Sequence, residues 1–395
     1  MRIGNFSASG AVADLQAEDT DDVALVVATE PVPAAGVFTV NQVKAAPVVW
    51  DIERLADPRA RFRAVVANSG NANACTGASG PLATAAMAEE TADRIGAEPG
   101  QILVLSTGVI GVPLDVPRVR SRIARAAERL QPGGWPEAAI AMMTTDRGPK
   151  SAVRTVEGMT VGGIAKGAGM IAPNMATMLA VLATDAELDR ATLDHLLRRV
   201  NGASFQRIVV DGDMSTNDAV IALADGASGI RPEGDRLEAL ARAFEEVAVD
   251  LATKIVRDGE GATKLVRVEV EGAEDEALAE AVARAIGVSP LCKTAFHGAD
   301  PNWGRIVAAA GAAAAVGGWR LEPAALRVAI EAEAGSMVLL DHGEPTNFSE
   351  ADASALMKGD TWTIRVRLGA GLGSSWLWTC DLTQAYITIN AHYRT

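Results

Sequence analysis

Two hydrophobic rhythms alternate along this chain. Short valine-rich runs bounded by turn residues, Val23–Val27, Ala64–Ala67 and Ile102–Leu105, predict buried strands. Leu82–Ile95 and Val119–Leu130 instead carry apolar positions at helical spacing. The longest helical signal covers Asp235–Arg257. There Leu237, Leu240, Ala241, Phe244, Val247, Ala248, Leu251 and Ile255 share one face, with Asp235 as the cap and Gly259 just past the end. Ile306–Val316 is apolar and Ala-rich but too short to cross a bilayer, and predicts a packed helix.

Later in the chain the period shortens to two. Val266, Val268 and Val270 oppose Arg267, Glu269 and Glu271, while Trp362, Ile364, Val366 and Leu368 oppose Thr363, Arg365 and Arg367. Both segments predict strands with one wet face, the pattern of antiparallel sheets. Met178–Leu182 and Tyr386–Asn390 also read as strands. Sheets under a helical cover place the chain in the α/β class and leave the strand order open.

Composition narrows the function. Hydrophobic residues make up 49% of the 395 positions but aromatics only 4%, so Ala, Val, Leu and Gly must fill the core. With 36 basic against 50 acidic residues the net charge is −14, and no basic cluster offsets it, which argues against nucleic acid as a partner. Cys75, Cys292 and Cys380 are too scattered for a disulfide framework or a zinc site, and each is expected as a small buried hydrophobe. Met1–Asn5 lacks the apolar run of a signal peptide and no stretch has the length of a membrane helix, so a cytoplasmic protein without membrane contact is expected.

The usual catalytic signatures are missing. The four histidines, His195, His297, His342 and His392, form no His-Glu-x-x-His motif, and there is no Cys-x-x-Cys, Gly-x-Ser-x-Gly or phosphate-binding loop. Gly369–Gly373 follows a strand and reads as a turn; His195 is expected at the surface and His297 as a structural hydrogen-bonding group. Small and polar residues gather instead in six stretches that read as loops: 68–73, 106–108, 166–177, 211–218, 258–261 and 297–305.

The most informative of these is Lys166-Gly-Ala-Gly-Met-Ile-Ala-Pro-Asn-Met-Ala-Thr-Met-Leu-Ala180. A Gly-rich turn before an apolar strand accounts for its glycines but not for the ordered string. The string resembles the glutamate N-acetyltransferase (ornithine acetyltransferase) family of arginine biosynthesis, in which the Ala-Thr-Met-Leu step is the site of self-cleavage. Asn41–Pro47, Asn68–Gly77, Ser106–Gly111, Met143–Asp146, Asp211–Asp218, Asp258–Lys264, Lys293–Arg305 and Cys380–Thr395 extend the resemblance nearly end to end, in family order. Two departures are Arg147, where many members carry threonine, and an abbreviated Met1–Ala11.

The resemblance implies an αββα, N-terminal-nucleophile-like fold: two stacked β-layers flanked by helices, with a smaller C-terminal α/β portion. Residues 1–280 would form the core and 281–395 the smaller domain, with cleavage between Ala176 and Thr177 yielding chains 1–176 and 177–395, two of each in the assembly. Thr177 would become the nucleophile. A threonine hydroxyl is weak until a base takes its proton, and the α-amino group freed by cleavage, with a pKa of about 7.7–8.0, is that base. Cleavage itself would start from Thr177 Oγ attacking the Ala176 carbonyl, with Gly167 and Gly169 easing the loop geometry. Thr107 and Gly108 match the family's oxyanion-hole pair; otherwise they are the turn after the strand Ile102–Leu105. Thr144, Lys166, Thr177, Glu260, Asn390 and Thr395 match its substrate-binding residues, Lys166 suited to a carboxylate and Glu260 to an ammonium. Elsewhere Lys and Glu are usually surface residues.

The implied activity is ping-pong acetyl transfer. N-acetylornithine acetylates Thr177, ornithine leaves, and glutamate takes the acetyl group, without metal or organic cofactor; acetyl-CoA is a second candidate donor. The alternatives are a paralogue of specialised metabolism with another acceptor, an N-terminal-nucleophile amidase or aminopeptidase, and a non-catalytic binding protein on the same fold.

Overall fold

The structure, a computed structural model, describes residues 1–11, 22–172 and 178–392. They divide into two compact units, Met1–Gln206 with Asp213–Ile255, and Arg207–Gly212 with residues 256–392. The second unit thus begins at Val256 and not at residue 281. The strand Leu265–Ala273 is the reason: it lies inside the second unit's sheet and draws the boundary back to the end of the long helix.

In the first unit the strands are β1 (Ser7–Ala11), β2 (Val23–Val32), β3 (Ala34–Phe38), β4 (Phe62–Asn71), β5 (Ile102–Val109), β6 (Lys150–Val156), β7 (Met159–Lys166), β8 (Leu179–Thr184) and β9 (Ala219–Ala224). Its helices are α1 (Ala46–Leu55), α2 (Ser79–Ile95), α3 (Val116–Glu128), α4 (Trp135–Ala141), α5 (Arg190–Ala203) and α6 (Asp235–Arg257). The strands form one sheet in the order β1-β2-β4-β5 and another in the order β3-β9-β8-β7-β6. Along β2, Val23, Leu25 and Val27 pack with Ala83 and Met87 of α2 and with Val119 and Ile123 of α3. The alternate residues Ala24, Val26 and Ala28 share a second core with Val181 and Ala183 of β8 and Ile221 and Leu223 of β9. Helix, sheet and sheet are therefore stacked, and α5 covers β3 and β9 on the far side. This is the αββα arrangement expected from the resemblance. Each fully buried Leu or Ile in these layers contributes about 1.5–3 kcal/mol. β8 and β9 pair in parallel and are buried along their whole length, as their unbroken apolar runs require.

Two stretches expected as loops are strand. Residues 68–71 end β4 and 106–109 end β5, and the two strands pair in parallel through Ser69 with Thr107 and Gly70 with Gly108. Polar residues continue the strands because they find buried partners: Ser106 Oγ donates to Asn68 Oδ1 at 2.5 Å, and Asn68 Nδ2 donates to the Asn71 carbonyl at 2.9 Å.

The second unit holds β10 (Leu265–Ala273), β11 (Arg327–Ala332), β12 (Gly335–Asp341), β13 (Glu344–Pro345), β14 (Thr361–Arg367) and β15 (Gly373–Cys380), with α7 (Glu276–Val288), α8 (Pro290–Gly298), α9 (Trp303–Gly317), α10 (Glu350–Met357) and α11 (Gln384–His392). Its sheet runs β13-β12-β11-β14-β10-β15. The valines of β10 and the apolar residues of β14 pack against α7 and α9, while Arg365 on the other face meets Glu331 at 2.9 Å. The wet face is as expected, and β10 pairs antiparallel with β15 and β14 with β11, but β10 and β14 pair with each other in parallel. One-sided helical cover produces the alternation in this mixed sheet. Tyr386–Asn390, expected as a strand, lies in α11; a short apolar run does not distinguish the two, and Ile387 is exposed. Cys292 and Cys380 are buried as expected, whereas Cys75 is exposed at a left-handed position in the turn after β4 (φ 56°).

Candidate active site

In the first unit, three of the expected site residues meet at one ammonium group. Lys166 ends β7, Thr107 lies near the end of β5, and Thr144 follows α4. Lys166 is 3% exposed, and its Nζ donates to Thr107 Oγ1 at 3.1 Å and to Thr144 Oγ1 at 2.9 Å. A buried ammonium needs compensation, and Asp146 supplies charge. Its Oδ1 accepts from Lys150 Nζ at 2.5 Å and from the Gly167 N–H at 2.7 Å, while Oδ2 accepts from the Thr144 N–H at 3.1 Å. Burial opposes ionisation of Asp146, but the charges of Lys166 and Lys150, with the Gly167 N–H, outweigh it and hold the carboxyl below its ordinary value. Asp146 thereby fixes the main chain beside two expected substrate-binding residues, and its neighbour Arg147 is exposed.

Gly108 could be no other residue. Its φ is 132°, and a Cβ there would stand 2.2 Å from the Gly70 carbonyl carbon. The close approach of β4 to β5 at this point shapes the strand end that carries Thr107. Past Lys166, Gly167 takes φ 151°, and the left-handed turn falls on Met170 (φ 56°). The polypeptide is described again from Met178, whose N–H donates to Asp218 Oδ1 at 3.0 Å. Burial pushes the Asp218 carboxyl well above the ordinary range, against the Met178 N–H and the Lys166 charge, which pull it down. Asp146 and Asp218 thus titrate in opposite directions, though both interact with Lys166.

In the second unit, Glu260 is buried and its Oε2 accepts from Asn390 Nδ2 at 2.6 Å. The Asp258–Gly261 turn is constrained: at Gly261 (φ 70°) a Cβ would meet the Tyr386 nitrogen at 2.5 Å, and Thr383 Oγ1 donates to the Gly261 carbonyl. His297 Nδ1 lies 3.0 Å from Asp381 Oδ2, the structural hydrogen bond expected of it. His195 is exposed, also as expected. Ala176, Thr177 and Thr395 lie outside the described residues.

Asp146, Asn217 and Asp218 lie in the family-like strings Met143–Asp146 and Asp211–Asp218, but nothing in the sequence alone gives them a role. Only Asp218 carried a local signal, standing directly before the apolar run of β9, Ala219–Ala224. Among the described residues no cluster of His, Cys, Asp and Glu could hold a metal ion, and no helix is long and apolar enough to cross a membrane.

Comparison with known proteins agrees with the motifs. The ArgJ family model matches residues 7–395. The arginine biosynthesis bifunctional protein ArgJ of Symbiobacterium thermophilum is 44% identical, over 99% of this chain and 97% of that protein. Its namesake in Geobacter sulfurreducens is 43% identical over 100% of both. Among solved structures, the arginine biosynthesis bifunctional protein of Bacillus halodurans matches at 42% identity with a TM-score of 0.49, covering 53% of this chain and 96% of that one. The ornithine acetyltransferase of Mycobacterium tuberculosis, solved in complex with ornithine, matches at 40% identity with a TM-score of 0.40, covering 43% and 92%. By its match along nearly the whole sequence, the chain belongs to the ArgJ family, an acetyltransferase family of arginine biosynthesis.

Proposed function

We propose that this enzyme carries an acetyl group from N2-acetylornithine to glutamate on Thr177, after cleaving itself between Ala176 and Thr177. The observation that carries the reading is the buried Lys166 ammonium bonded to both Thr107 and Thr144, in a chain that shares its family along nearly its whole length.

In maturation, Thr177 Oγ attacks the Ala176 carbonyl, the Ala176–Thr177 C–N bond breaks as its nitrogen takes up a proton, and water hydrolyses the resulting ester. The freed α-amine then serves as base in transfer. It takes the Thr177 hydroxyl proton as Oγ attacks the acetyl carbonyl and passes it to the departing ornithine amine. Charge that develops on the carbonyl oxygen is met by the Thr107 hydroxyl and the Gly108 N–H, donors of the kind that lower such barriers most. Glutamate then reverses the sequence with its own amine.

Lys166 and Thr144 are assigned to the substrate carboxylate, Glu260 and Asn390 to the ammonium, and the Thr395 carboxylate to the ammonium as well. Relatives named bifunctional support acetyl-CoA as a second donor. Two copies each of chains 1–176 and 177–395, in the cytoplasm, complete the proposal.

Steady-state velocities over a grid of N-acetylornithine and glutamate concentrations test it. Parallel double-reciprocal lines and acetylglutamate formed mole for mole with ornithine are expected. Acetate released at a rate indifferent to glutamate would mark a hydrolase, and faster transfer to another amine would mark a different acceptor.

A further inference from the structure

The turn leading into β9 holds two buried side chains that the reaction as proposed does not use. Asn217 Nδ2 donates to two main-chain carbonyls, Ala72 at 2.7 Å and Ser106 at 2.8 Å, while its Oδ1 accepts from the Thr216 hydroxyl at 2.6 Å. Asp218, 1% exposed, holds the Met178 N–H, and the next residue, Ala219, donates its N–H to the Met178 carbonyl at 3.2 Å. Met178 is therefore gripped at both of its main-chain polar groups. Ser106 directly precedes Thr107, and Met178 directly follows Thr177. Consecutive side chains on one turn thus tie the strand end carrying Thr107 to the strand start bonded to Thr177.

The tie carries a cost. Burial in an apolar setting disfavours the Asp218 carboxylate, and the Met178 N–H, the Lys166 charge and the Thr39 side chain offset only part of that. An apolar residue ahead of β9 would avoid that cost and leave the β8–β9 pairing intact. What it could not do is accept the Met178 N–H.

From these contacts we infer that Asn217 and Asp218 form a clamp that sets the main chain of the nucleophile against the oxyanion donors. It acts on Thr177 through Met178 and on Thr107 through Ser106. Both are positioning residues, since they are argued to act through Met178 and Ser106, and the inference rests on Thr177 being the nucleophile. A displacement of about 1 Å between reacting groups costs about 100-fold in rate, so a device that fixes their spacing has a measurable effect.

Time-resolved intact mass of wild type, Asp218→Asn and Asp218→Leu, followed by kcat and KM on the matured fraction, tests the clamp. Asparagine keeps the Oδ1 acceptor in place; leucine keeps only the volume. Asp218→Asn should cleave and turn over within about fivefold of wild type. Asp218→Leu should lose about 100-fold in cleavage rate and in kcat, with KM for N-acetylornithine within about threefold of wild type. Asn217→Asp, which sets carboxylate oxygens against the Ala72 and Ser106 carbonyls, should follow the leucine variant. A folded Asp218→Leu that matures at the wild-type rate, or a loss that falls on KM, would overturn the clamp. Should the leucine variant fail to fold by circular dichroism, Asp218→Asn decides: near-wild-type rates support the clamp, and a folded protein slowed 100-fold overturns it. A wild type that never cleaves would overturn the nucleophile reading and the clamp with it, so the two failures are told apart by the wild-type trace.

Discussion

Lys166 Nζ lies 3.1 Å from Thr107 Oγ1 in a bond where the threonine can only accept, because an ammonium has no lone pair to offer. The Thr107 proton is therefore directed elsewhere, and donation from a cation polarises the hydroxyl and strengthens it as a donor. Thr107→Val keeps the shape and removes that donor. We expect kcat to fall on the order of 10²–10³-fold, with circular dichroism unchanged and Thr107→Ser retaining most of the activity. A valine variant with wild-type kcat would remove Thr107 from oxyanion stabilisation.

Gly108→Ala should be severe for a different reason. The added methyl would collide with the Gly70 carbonyl carbon at 2.2 Å, on backbone that L-residues rarely adopt. Relieving the clash means parting β4 from β5 at the strand end that holds Thr107. Thermal unfolding should show a lower midpoint by several degrees, on the order of 2 kcal/mol, and turnover should vanish before stability does.

Asp146→Asn tests the charge balance under Lys166. Removing the carboxylate leaves the buried Lys150 ammonium without its ion pair, a change that typically costs about 3–5 kcal/mol. The folded carboxyl titrates below its ordinary value, so its contribution is present above the unfolded pKa of about 3.9 and is lost as pH falls through the lower folded value. Denaturant titrations should show the wild-type advantage steady near neutral pH and shrinking only below about pH 4. An advantage undiminished well below pH 4 would contradict the assignment.

Asp218 should behave in the opposite sense. Its folded pKa is raised, so from about pH 4 upward the unfolded chain ionises while the folded carboxyl holds its proton, and folding loses up to about 1.4 kcal/mol per pH unit until the folded group titrates as well. Asparagine carries no such linkage. The stability difference between Asp218→Asn and wild type should therefore move in favour of asparagine between pH 4 and pH 7, which scanning calorimetry across that range would reveal. A difference flat in pH would mean that the buried carboxyl ionises as freely as an exposed one.

The periodic parts of the fold were legible from sequence. The bounds of α6 were read correctly, and the valines of β10 and the apolar set of β14 were assigned to the buried face, because one-dimensional periodicity records one-sided burial directly. Strand direction leaves no such trace, and the parallel pairing of β10 with β14 went unseen. The polar ends of β4 and β5 read as loops because their partners are remote: Ser106 is satisfied by Asn68 and Asn217, 38 and 111 residues away. The same kind of separation hid Asp218, whose partner Met178 is 40 residues away. The family strings name Thr107, Thr144 and Lys166, which the structure brings together, while the contact of Asp218 with Met178 is visible only once β8 and β9 are side by side.

The central claim is a nucleophile made by cleavage. Intact mass under denaturing conditions, wild type beside Thr177→Ala, tests it most directly. The account predicts two wild-type fragments, 1–176 and 177–395, and a single uncut chain for the variant. An uncut wild type after prolonged incubation, or a Thr177→Ala variant that still cleaves at Ala176, would contradict it.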